Sequence, residues 1–247
     1  THRDEMIISS KAGHLMWPGP YGDGSSRKNL MASINQSLKR TELEYFDLFY
    51  SHRYDGVTPI EETMQALVDI IRQGKALYIG ISKYPPKEAK IAMEYLRAHH
   101  VPCLLFQDKY SMLHRTPEEG VFDVVKQEGS GFIGFSPLSQ GILTDKYING
   151  IPADSRAANP DGYLKRDQIT QKTVSIVRQL NLIAEERNQS LAQMALAWAL
   201  RDEVVTSLIV GARNTIQLQD SLNTLDNLNF TDDELKRIEL ILGGAIL

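Results

Sequence analysis

The segment Phe132–Tyr147, with the sequence FIGFSPLSQGILTDKY, combines a predicted strand with residues that could bind a ligand. Its apolar start predicts a buried strand that ends at Pro137. The serines and Gly141 that follow would let the backbone approach a ligand closely, and Lys146 could meet an anion. An ordinary strand-to-loop junction with a surface lysine is the alternative, and for this segment taken alone it is the favoured one.

Other predicted strands also end in polar or basic residues. These ends are Ser10-Lys11, Ser51-His52-Arg53, Ser82-Lys83, Gln107, Ser136 and the segment Gly211–Arg213. In a (β/α)8 barrel the carboxyl ends of all strands meet at one mouth, where active sites lie. In an open doubly wound sheet most of them would be spread along an edge. The pattern therefore favours the barrel, and the lack of a G-x-G-x-x-G motif after the first strand points the same way.

Six near-continuous apolar runs predict strands that are covered on both faces. They are Met6–Ser10, Phe46–Ser51, Ala76–Ser82, Cys103–Gln107, Phe132–Ser136 and Thr206–Val210. Apolar residues at helical spacing lie between them, and two helices are predicted at about Gln171–Glu186 and Leu191–Asp202. Strands and helices that alternate at this spacing indicate the parallel βα units of an α/β protein.

Four segments carry the signals of a helix start. A threonine cap, a proline and a glutamate occur together in Thr58-Pro59-Ile60-Glu61 and in Thr116-Pro117-Glu118-Glu119. Ser190 with Gln193, and Thr231 with Glu234, predict capping boxes without the proline.

An open piece of six strands would leave two unpaired edges, which natural folds avoid. We therefore expect the chain to carry about strands 3 to 8 of the barrel, with the first two βα units upstream of Thr1. Residues 1–247 are then expected to form a single, N-terminally incomplete barrel domain. The long segment from Leu138 to about Gln168 is predicted to be a functional or disordered loop.

Composition excludes several classes of function. A net charge of −4 argues against a general nucleic-acid binder. The single cysteine, Cys103, excludes a disulfide framework and lies in an apolar run, which predicts a small buried residue. His99, His100 and His114 lack clustered partners, so we expect no metal site. No run reaches the ~20 apolar residues of a membrane span, and no signal peptide is recognisable, so we expect a cytoplasmic protein without a membrane partner.

From Asp4 to about Leu242, the chain resembles an aldo-keto reductase, a family of NADPH-dependent (β/α)8 barrels. Within that family it is similar to the branch that contains bacterial glyceraldehyde 3-phosphate reductases and potassium-channel β subunits, and MWPGPYG and YSHR favour the reductase type. The segments that carry the resemblance are IISSKAG, MWPGPYG, YFDLFYSHR, GKALYIGIS, FSPLSQGILTDKY and SLIVGARNTIQLQDSL.

The resemblance implies carbonyl reduction by hydride transfer from NADPH with an Asp, Tyr, Lys and His tetrad. Lys11 matches the tetrad lysine and His52 the histidine, whereas the aspartate and tyrosine are expected upstream of Lys11. The lysine would tune proton transfer from the tyrosine, and the histidine would orient the carbonyl oxygen. Tyr50, Tyr54 and Tyr110 are less favoured as substitute acids, because packing explains most such tyrosines.

The same resemblance assigns the contacts to NADP(H). Ser82, Lys83 and Gln107 would hold the nicotinamide carboxamide, with Lys83 at a position where many members have asparagine. Phe135 would stack on the nicotinamide ring. Contacts to the phosphates and the adenosine are assigned to Ser136, Pro137, Leu138, Gln140, Gly141, Lys146, Arg156, Gly211, Ala212, Arg213, Gln217, Asp220 and Ser221.

Several cations among these residues suit NADPH, because its 2′-phosphate carries about two negative charges near neutral pH. Lys146 and Arg156 match family cations near the adenosine phosphates. Arg213, where this branch often has serine, could add a further contact.

Substrate contacts are predicted by position alone. Arg53, Trp17, Tyr21 and Tyr54 are expected to line the mouth, where Arg53 could meet a substrate phosphate. The expected function is NADPH-dependent reduction of small aldehydes, glyceraldehyde 3-phosphate among them. The alternatives are an NADPH-binding regulatory subunit with little turnover, and a fragment that binds nothing until its first two βα units are restored. Assembly into a homo-oligomer stays open.

Overall fold

A computed structural model describes residues 2–243 of the chain. The strands are β1 (Ser9–Ala12), β2 (Phe46–Ser51), β3 (Ala76–Ser82), β4 (Cys103–Lys109), β5 (Gly131–Phe135) and β6 (Val205–Ile209). They form one six-stranded sheet in chain order, and the pairings of β1 with β2, β2 with β3 and β3 with β4 are parallel. The prediction of an α/β protein with the strands of a partial (β/α)8 barrel is confirmed.

Eight α-helices lie between and after these strands in the described residues. They are α1 (Arg27–Thr41), α2 (Ile60–Arg72), α3 (Pro86–Ala98), α4 (Val121–Gln127), α5 (Gln171–Glu186), α6 (Leu191–Ala199), α7 (Thr215–Leu222) and α8 (Asp232–Gly243). The predicted bounds of β2, β3 and α5 agree with the structure. β1 begins at Ser9 rather than Met6, and α6 ends at Ala199 rather than Asp202. None of the helices described here is long and apolar enough to cross a membrane.

Two of the four predicted helix starts are confirmed. The Ser190 side chain accepts a hydrogen bond from the Gln193 backbone N–H, and the Gln193 side chain accepts one from the Ser190 N–H. Thr231 and Glu234 form the same reciprocal pair at the start of α8.

Of the other two, the start predicted at Pro59 is right to within one residue, because α2 begins at Ile60, but its threonine cap is wrong. The start predicted at Thr116 is wrong. The Thr58 hydroxyl donates to Asp55 Oδ2 at 2.8 Å instead of capping α2. Thr116–Glu118 forms only a short 3₁₀ helix, and α4 begins three residues later, after Gly120 with its φ of 111°.

The contacts within the chain divide it into two compact units. Unit 1 comprises Thr1–Asp108 and Pro117–Phe132, and unit 2 comprises Lys109–Thr116 and Ile133–Leu247. The expectation of a single domain over residues 1–247 stays a prediction.

In unit 1, β2 lies between β1 and β3 and is buried along most of its length. Its Tyr50 is paired in register with Gly80 of β3. A Cβ at Gly80 would lie 2.3 Å from Tyr50 Cε1, so only glycine leaves room for this ring. Gly80 therefore lets the large Tyr50 side chain pack beneath the strand ends that carry the site.

In unit 2, the segment between β5 and α5 is ordered by a small hydrophobic core of its own. Tyr147, Ala157 and Leu164 are buried together, and partly buried isoleucines pack against them. The Ala157 N–H also donates to the Tyr147 hydroxyl at 3.4 Å. Of the two predictions for Leu138–Gln168, a disordered loop is therefore wrong, because apolar burial holds the segment in place.

Unit 2 also contains a buried charge, Arg187, which follows α5. Its side chain is 2% exposed, and its Nη1 lies 3.0 Å from Glu234 Oε1 of α8. The guanidinium donates to the carbonyl oxygens of Asn229 and Asn227 and lies 3.8 Å from the centre of the Phe230 ring. These contacts hold Asn227, Asn229 and Phe230, which precede α8, against the end of α5.

We predict that Arg187→Met lowers the free energy of unfolding by about 3–5 kcal/mol, because Glu234 would lose its buried partner. Burial alone would raise the pKa of Glu234, but hydrogen bonds from Thr231 and Arg187 outweigh it and lower that pKa. The stability that the carboxylate contributes is therefore present above its unfolded pKa and lost as the pH falls through its folded pKa. Urea unfolding of the wild type and the variant checks the difference in the free energy of unfolding. The same measurement, repeated as the pH falls through the folded pKa of Glu234, checks the pH dependence.

The matched control is Arg237→Met, which removes an exposed pair with Glu186. Exposed pairs contribute little to stability, so this variant should unfold close to the wild type. Equal losses in the two variants would contradict the assigned role of Arg187.

Candidate functional site

Lys11 and His52 lie at the carboxyl ends of adjacent strands in unit 1. Lys11 is the last residue but one of β1, and His52 directly follows β2. The His52 N–H donates to the Ala12 carbonyl oxygen at 2.8 Å, which continues the pairing of the two strands beyond β2. Both side chains are partly buried. The Lys11 ammonium lies 5.0 Å from the centre of the Tyr50 ring, which is a cation–π contact.

The surroundings of His52 keep its imidazole neutral. Burial is the largest effect, and the positive charges of His14, Lys83, Lys11 and Arg53 add to it. Together they lower the pKa of His52 from its ordinary value of 6.5 to about 4. Burial and the nearby Lys83 also lower the pKa of Lys11. Near neutral pH the pair therefore combines a neutral ring, which can donate a hydrogen bond, with a cation.

His14 is a member of this group that the sequence analysis missed. Its ring meets the His52 ring edge-on, with centroids 4.3 Å apart and planes at 82°. Burial and the charges of Arg53 and Lys83 lower the pKa of His14, while Asp23 opposes them. The only signal in the sequence was its place just after β1, in the loop that continues from Lys11.

The next two strands bring Ser82, Lys83 and Gln107 together. The register pairs Ser82 with Gln107, and the Lys83 N–H donates to the Gln107 carbonyl oxygen at 3.2 Å. Ser82 is fully buried, and its hydroxyl has no hydrogen-bond partner among the described residues. A buried hydroxyl without a partner costs about 1–3 kcal/mol. This hydroxyl therefore fits a polar ligand group, such as the carboxamide that the resemblance assigns to it.

Two tyrosines in unit 1, Tyr50 and Tyr84, are buried, which makes their hydroxyls weaker acids. Burial raises the pKa of Tyr50 well above its ordinary value, despite a hydrogen bond from Gln107. Burial likewise raises the pKa of Tyr84, whose hydroxyl lies 2.8 Å from Ser51 Oγ. The Tyr54 ring packs 5.7 Å from that of Tyr84. In unit 2, the Tyr110 hydroxyl accepts a hydrogen bond from Arg201 at 2.8 Å.

Arg53 holds the loop that follows β1. Its Nε donates to the Gly13 carbonyl oxygen and its Nη2 to Asp23 Oδ1, each at 2.8 Å. Its carbonyl oxygen accepts from Ser25 Oγ at 2.8 Å. Asp55, which the sequence analysis also missed, accepts from the Ser25 N–H at 2.7 Å. Arg53 thus has a structural role in holding the loop after β1. Its contact with a substrate stays a prediction.

Trp17 and Tyr21 lie in the same loop. The Trp17 indole N–H donates to the Pro20 carbonyl oxygen at 3.2 Å. The Tyr21 side chain is 55% exposed, with the Lys28 ammonium 5.1 Å from its ring centre. Contact of Trp17, Tyr21 and Tyr54 with a substrate stays a prediction.

Unit 2 contains a pocket of about 880 Å³. Its walls include most of the unit 2 residues that the resemblance assigned to the cofactor, and Ala212 is the one that is not among them. The predicted residues in its walls are Phe135, Ser136, Pro137, Leu138, Gln140, Gly141, Lys146, Arg156, Gly211, Arg213, Gln217, Asp220 and Ser221. The walls also include Glu185 at the end of α5 and Gln189 and Ser190 just before α6, which the sequence did not assign to a ligand.

Three cations line this pocket. Lys146 Nζ lies 3.8 Å from Asp154 Oδ2, and Arg213 Nη1 lies 3.9 Å from the same oxygen. Arg156 donates to Gln140 Oε1 at 2.7 Å. Because these ion pairs are long and exposed, they hold the cations only weakly, and a phosphate could replace Asp154.

The backbone that enters the pocket is strained. Ser136, Ser139 and Gln140 have φ values of 54°, 46° and 62°, and Gly141 has 99°. Non-glycine residues in this left-handed region cost roughly 1–3 kcal/mol each, and they concentrate at functional sites. This run of strained residues favours the binding-loop interpretation of the segment after β5 over an ordinary junction.

Cys103 and the remaining histidines show no separate chemistry. Burial raises the pKa of the Cys103 thiol to about 12, so it stays protonated as a small buried side chain. Across residues 2–243, no three side chains of the metal-binding types come together.

We predict that the His52 imidazole titrates near pH 4, whereas an unperturbed histidine would titrate near 6.5. An NMR titration of the ring protons measures this midpoint. His14→Ala removes one neighbouring charge and should move the midpoint upwards, while His100→Ala, an exposed change elsewhere in unit 1, should not. A wild-type midpoint near 6.5 would contradict the described surroundings.

Comparison with known proteins shows the family of this chain. The family model described as "Aldo/keto reductase family" matches residues 1–242. L-glyceraldehyde 3-phosphate reductase of Escherichia coli O157:H7 is 49% identical over 242 residues, which cover 96% of this chain and 70% of the relative. A probable voltage-gated potassium channel subunit beta of Oryza sativa subsp. japonica is 34% identical over 248 residues, or 97% of this chain and 74% of the relative. The chain therefore belongs to the aldo/keto reductase family.

Proposed function

We propose that the protein reduces small aldehydes with NADPH, glyceraldehyde 3-phosphate among them. The observation that carries the proposal is the pocket in unit 2, where Lys146, Arg156 and Arg213 offer cations to a phosphate group. The buried Ser82 hydroxyl of unit 1, which lacks a partner among the described residues, supports a polar ligand there as well. The name of the Escherichia coli relative suggests the substrate.

In this proposal, residues at the strand ends of unit 1 bind the cofactor and the carbonyl group. Ser82 and Gln107 hydrogen-bond the nicotinamide carboxamide, and the bound cofactor supplies the hydride for the carbonyl carbon. The neutral His52 ring donates a hydrogen bond to the carbonyl oxygen, because its lowered pKa leaves it uncharged near neutral pH. Lys11 adds a positive charge that stabilises negative charge on that oxygen. A proton on that oxygen completes the alcohol, and a tyrosine is the donor that the resemblance implies.

In unit 2, Lys146 and Arg213 take the adenosine 2′-phosphate, and Phe135 offers a flat apolar face to the nicotinamide. Lys146 and Arg213 share Asp154, so a single incoming phosphate could engage both of them. Location in the cytoplasm and assembly into a homo-oligomer stay predictions.

A regulatory protein that binds NADPH with little turnover is the second candidate. It is favoured by the similarity to relatives named as potassium channel β subunits, such as that of Arabidopsis thaliana at 35% identity. NADPH consumption with glyceraldehyde and with its 3-phosphate distinguishes the two candidates. Turnover supports the reductase, and tight NADPH binding without turnover supports the regulatory protein.

We predict that Lys146→Met and Arg213→Met each weaken NADPH binding by about 10-fold, because each removes a charge-assisted contact to the 2′-phosphate. NADH, which lacks that phosphate, should lose much less affinity. Fluorescence titrations with both cofactors measure the difference. Lys172→Met changes an exposed lysine of α5 outside the pocket and serves as the control.

Equal losses for NADPH and NADH would contradict a 2′-phosphate contact at these residues. If the wild type bound neither cofactor, the proposal as a whole would be wrong.

A further inference from the structure

We infer that Ser111 is a positioning residue for the ligand pocket of unit 2. Its buried hydrogen bond to Ser139 holds the loop after β5, residues 136–146, in the conformation that binds a phosphate. The inference rests on the proposed function, which takes NADPH as the ligand of this pocket. Neither serine is among the residues that line the pocket, so Ser111 acts through the loop.

The loop after β5 has a backbone conformation that few side chains adopt. Ser136, Ser139 and Gln140 have φ values of 54°, 46° and 62°, all in the left-handed region. Residues other than glycine stay in this region only where the surrounding contacts hold them there. A contact that fixes one of these three residues therefore fixes the course of the loop.

The hydrogen bond between Ser111 and Ser139 is such a contact. The two hydroxyl oxygens lie 2.8 Å apart, and both residues are buried. A buried hydroxyl that loses its partner is left unsatisfied, so the bond resists breaking. It joins the middle of the loop to the segment that follows β4.

Ser111 is itself held on several sides, so it can anchor the loop. Its N–H donates to the His114 carbonyl oxygen at 3.1 Å, and the His114 N–H donates to the Ser111 carbonyl oxygen at 3.0 Å. The Ser111 hydroxyl also accepts from the Leu113 N–H at 3.3 Å. One residue earlier, the Tyr110 N–H donates to the Phe135 carbonyl oxygen at 3.2 Å. This turn therefore gives the loop a fixed point beside the end of β5.

Contacts run from Ser139 to a cation in the pocket wall. Gln140 follows Ser139 directly, and its Oε1 accepts from Arg156 Nη1 at 2.7 Å. The Gln140 amide also donates to Ser136 Oγ at 3.2 Å, across the loop. Arg156 lines the pocket and is one of the three cations that the proposed function offers to a phosphate. A change of conformation at Ser139 would therefore move the group that holds this guanidinium.

The experiment measures NADPH affinity by fluorescence and the free energy of unfolding in urea for the same set of variants. We expect Ser111→Ala to weaken NADPH binding by roughly 10-fold, because Ser139 keeps a disfavoured φ and loses its buried partner. Ser139→Ala has the same defect and should behave similarly. Ser139→Gly also loses the hydroxyl, but glycine adopts a φ of 46° without help, so it should bind NADPH more tightly than Ser139→Ala.

A double variant isolates the positioning role. Once position 139 is glycine, the loop no longer needs the bond from Ser111. Ser111→Ala added to Ser139→Gly should therefore cost little further affinity, although Ser111→Ala alone costs roughly 10-fold.

Thr173→Val is the matched control, because it removes another buried, hydrogen-bonded hydroxyl of unit 2. The Thr173 hydroxyl lies 2.9 Å from Thr170 Oγ1 at the start of α5, and Thr173 does not line the pocket. This variant should lower the free energy of unfolding and leave NADPH affinity unchanged. Amide exchange without ligand should become faster in residues 136–146 of Ser111→Ala and stay unchanged there in Thr173→Val.

Unchanged NADPH affinity in Ser111→Ala, with a loss of stability like that of Thr173→Val, would overturn the inference and leave the proposed function intact. Fully additive losses of affinity in the double variant would also overturn it. If the wild type bound no NADPH, the proposed function would fail and the exchange comparison would decide alone. Unchanged exchange of residues 136–146 in Ser111→Ala would then overturn the inference, and faster exchange would support Ser111 as the residue that holds the loop.

Discussion

The parallel register of the first four strands is the constraint on which the chemistry of unit 1 depends. Parallel strands end at the same edge of a sheet, so residues far apart in sequence meet there. The hydrogen bond from the His52 N–H to Ala12 and the pairing of Ser82 with Gln107 fix that edge. A slip of one residue would turn each of these side chains to the opposite face of the sheet, beneath the helices.

The positive charges at this edge of the sheet repel one another, and they help to lower the pKa of His52. Lys11, His14 and Lys83 lie close enough for each to affect the protonation of His52. Bringing cations together in a partly buried site is unfavourable, and His52 relieves it by staying neutral. A neutral imidazole beside a lysine is a combination that can orient and polarise a carbonyl group.

The sequence predicts the framework better than it predicts the details. Apolar runs predicted the bounds of β2 and β3, because both strands are continuous apolar segments and most of their residues are buried. β1 was placed too early, because Met6 and Ile7 are apolar but exposed in the structure. The cap predicted at Thr58 failed because Asp55, three residues away, takes the hydroxyl instead.

The residues of the candidate site likewise divide into those that sequence motifs predict and those that they do not. Family motifs led to Lys11, His52 and most of the pocket wall, because those residues lie in recognisable segments. His14 and Asp55 were missed, since their importance comes from contacts between loops that sequence spacing does not reveal. Gln189, which lies between α5 and α6, was also missed as part of the pocket wall.

The account depends most on the pocket of unit 2 as the place where NADPH binds. Hydrogen–deuterium exchange with and without NADPH tests this most directly. We expect slower amide exchange around residues 136–146 and 211–221, which include the walls of that pocket. Unchanged exchange in both of these segments, or protection found only elsewhere in the chain, would contradict the account.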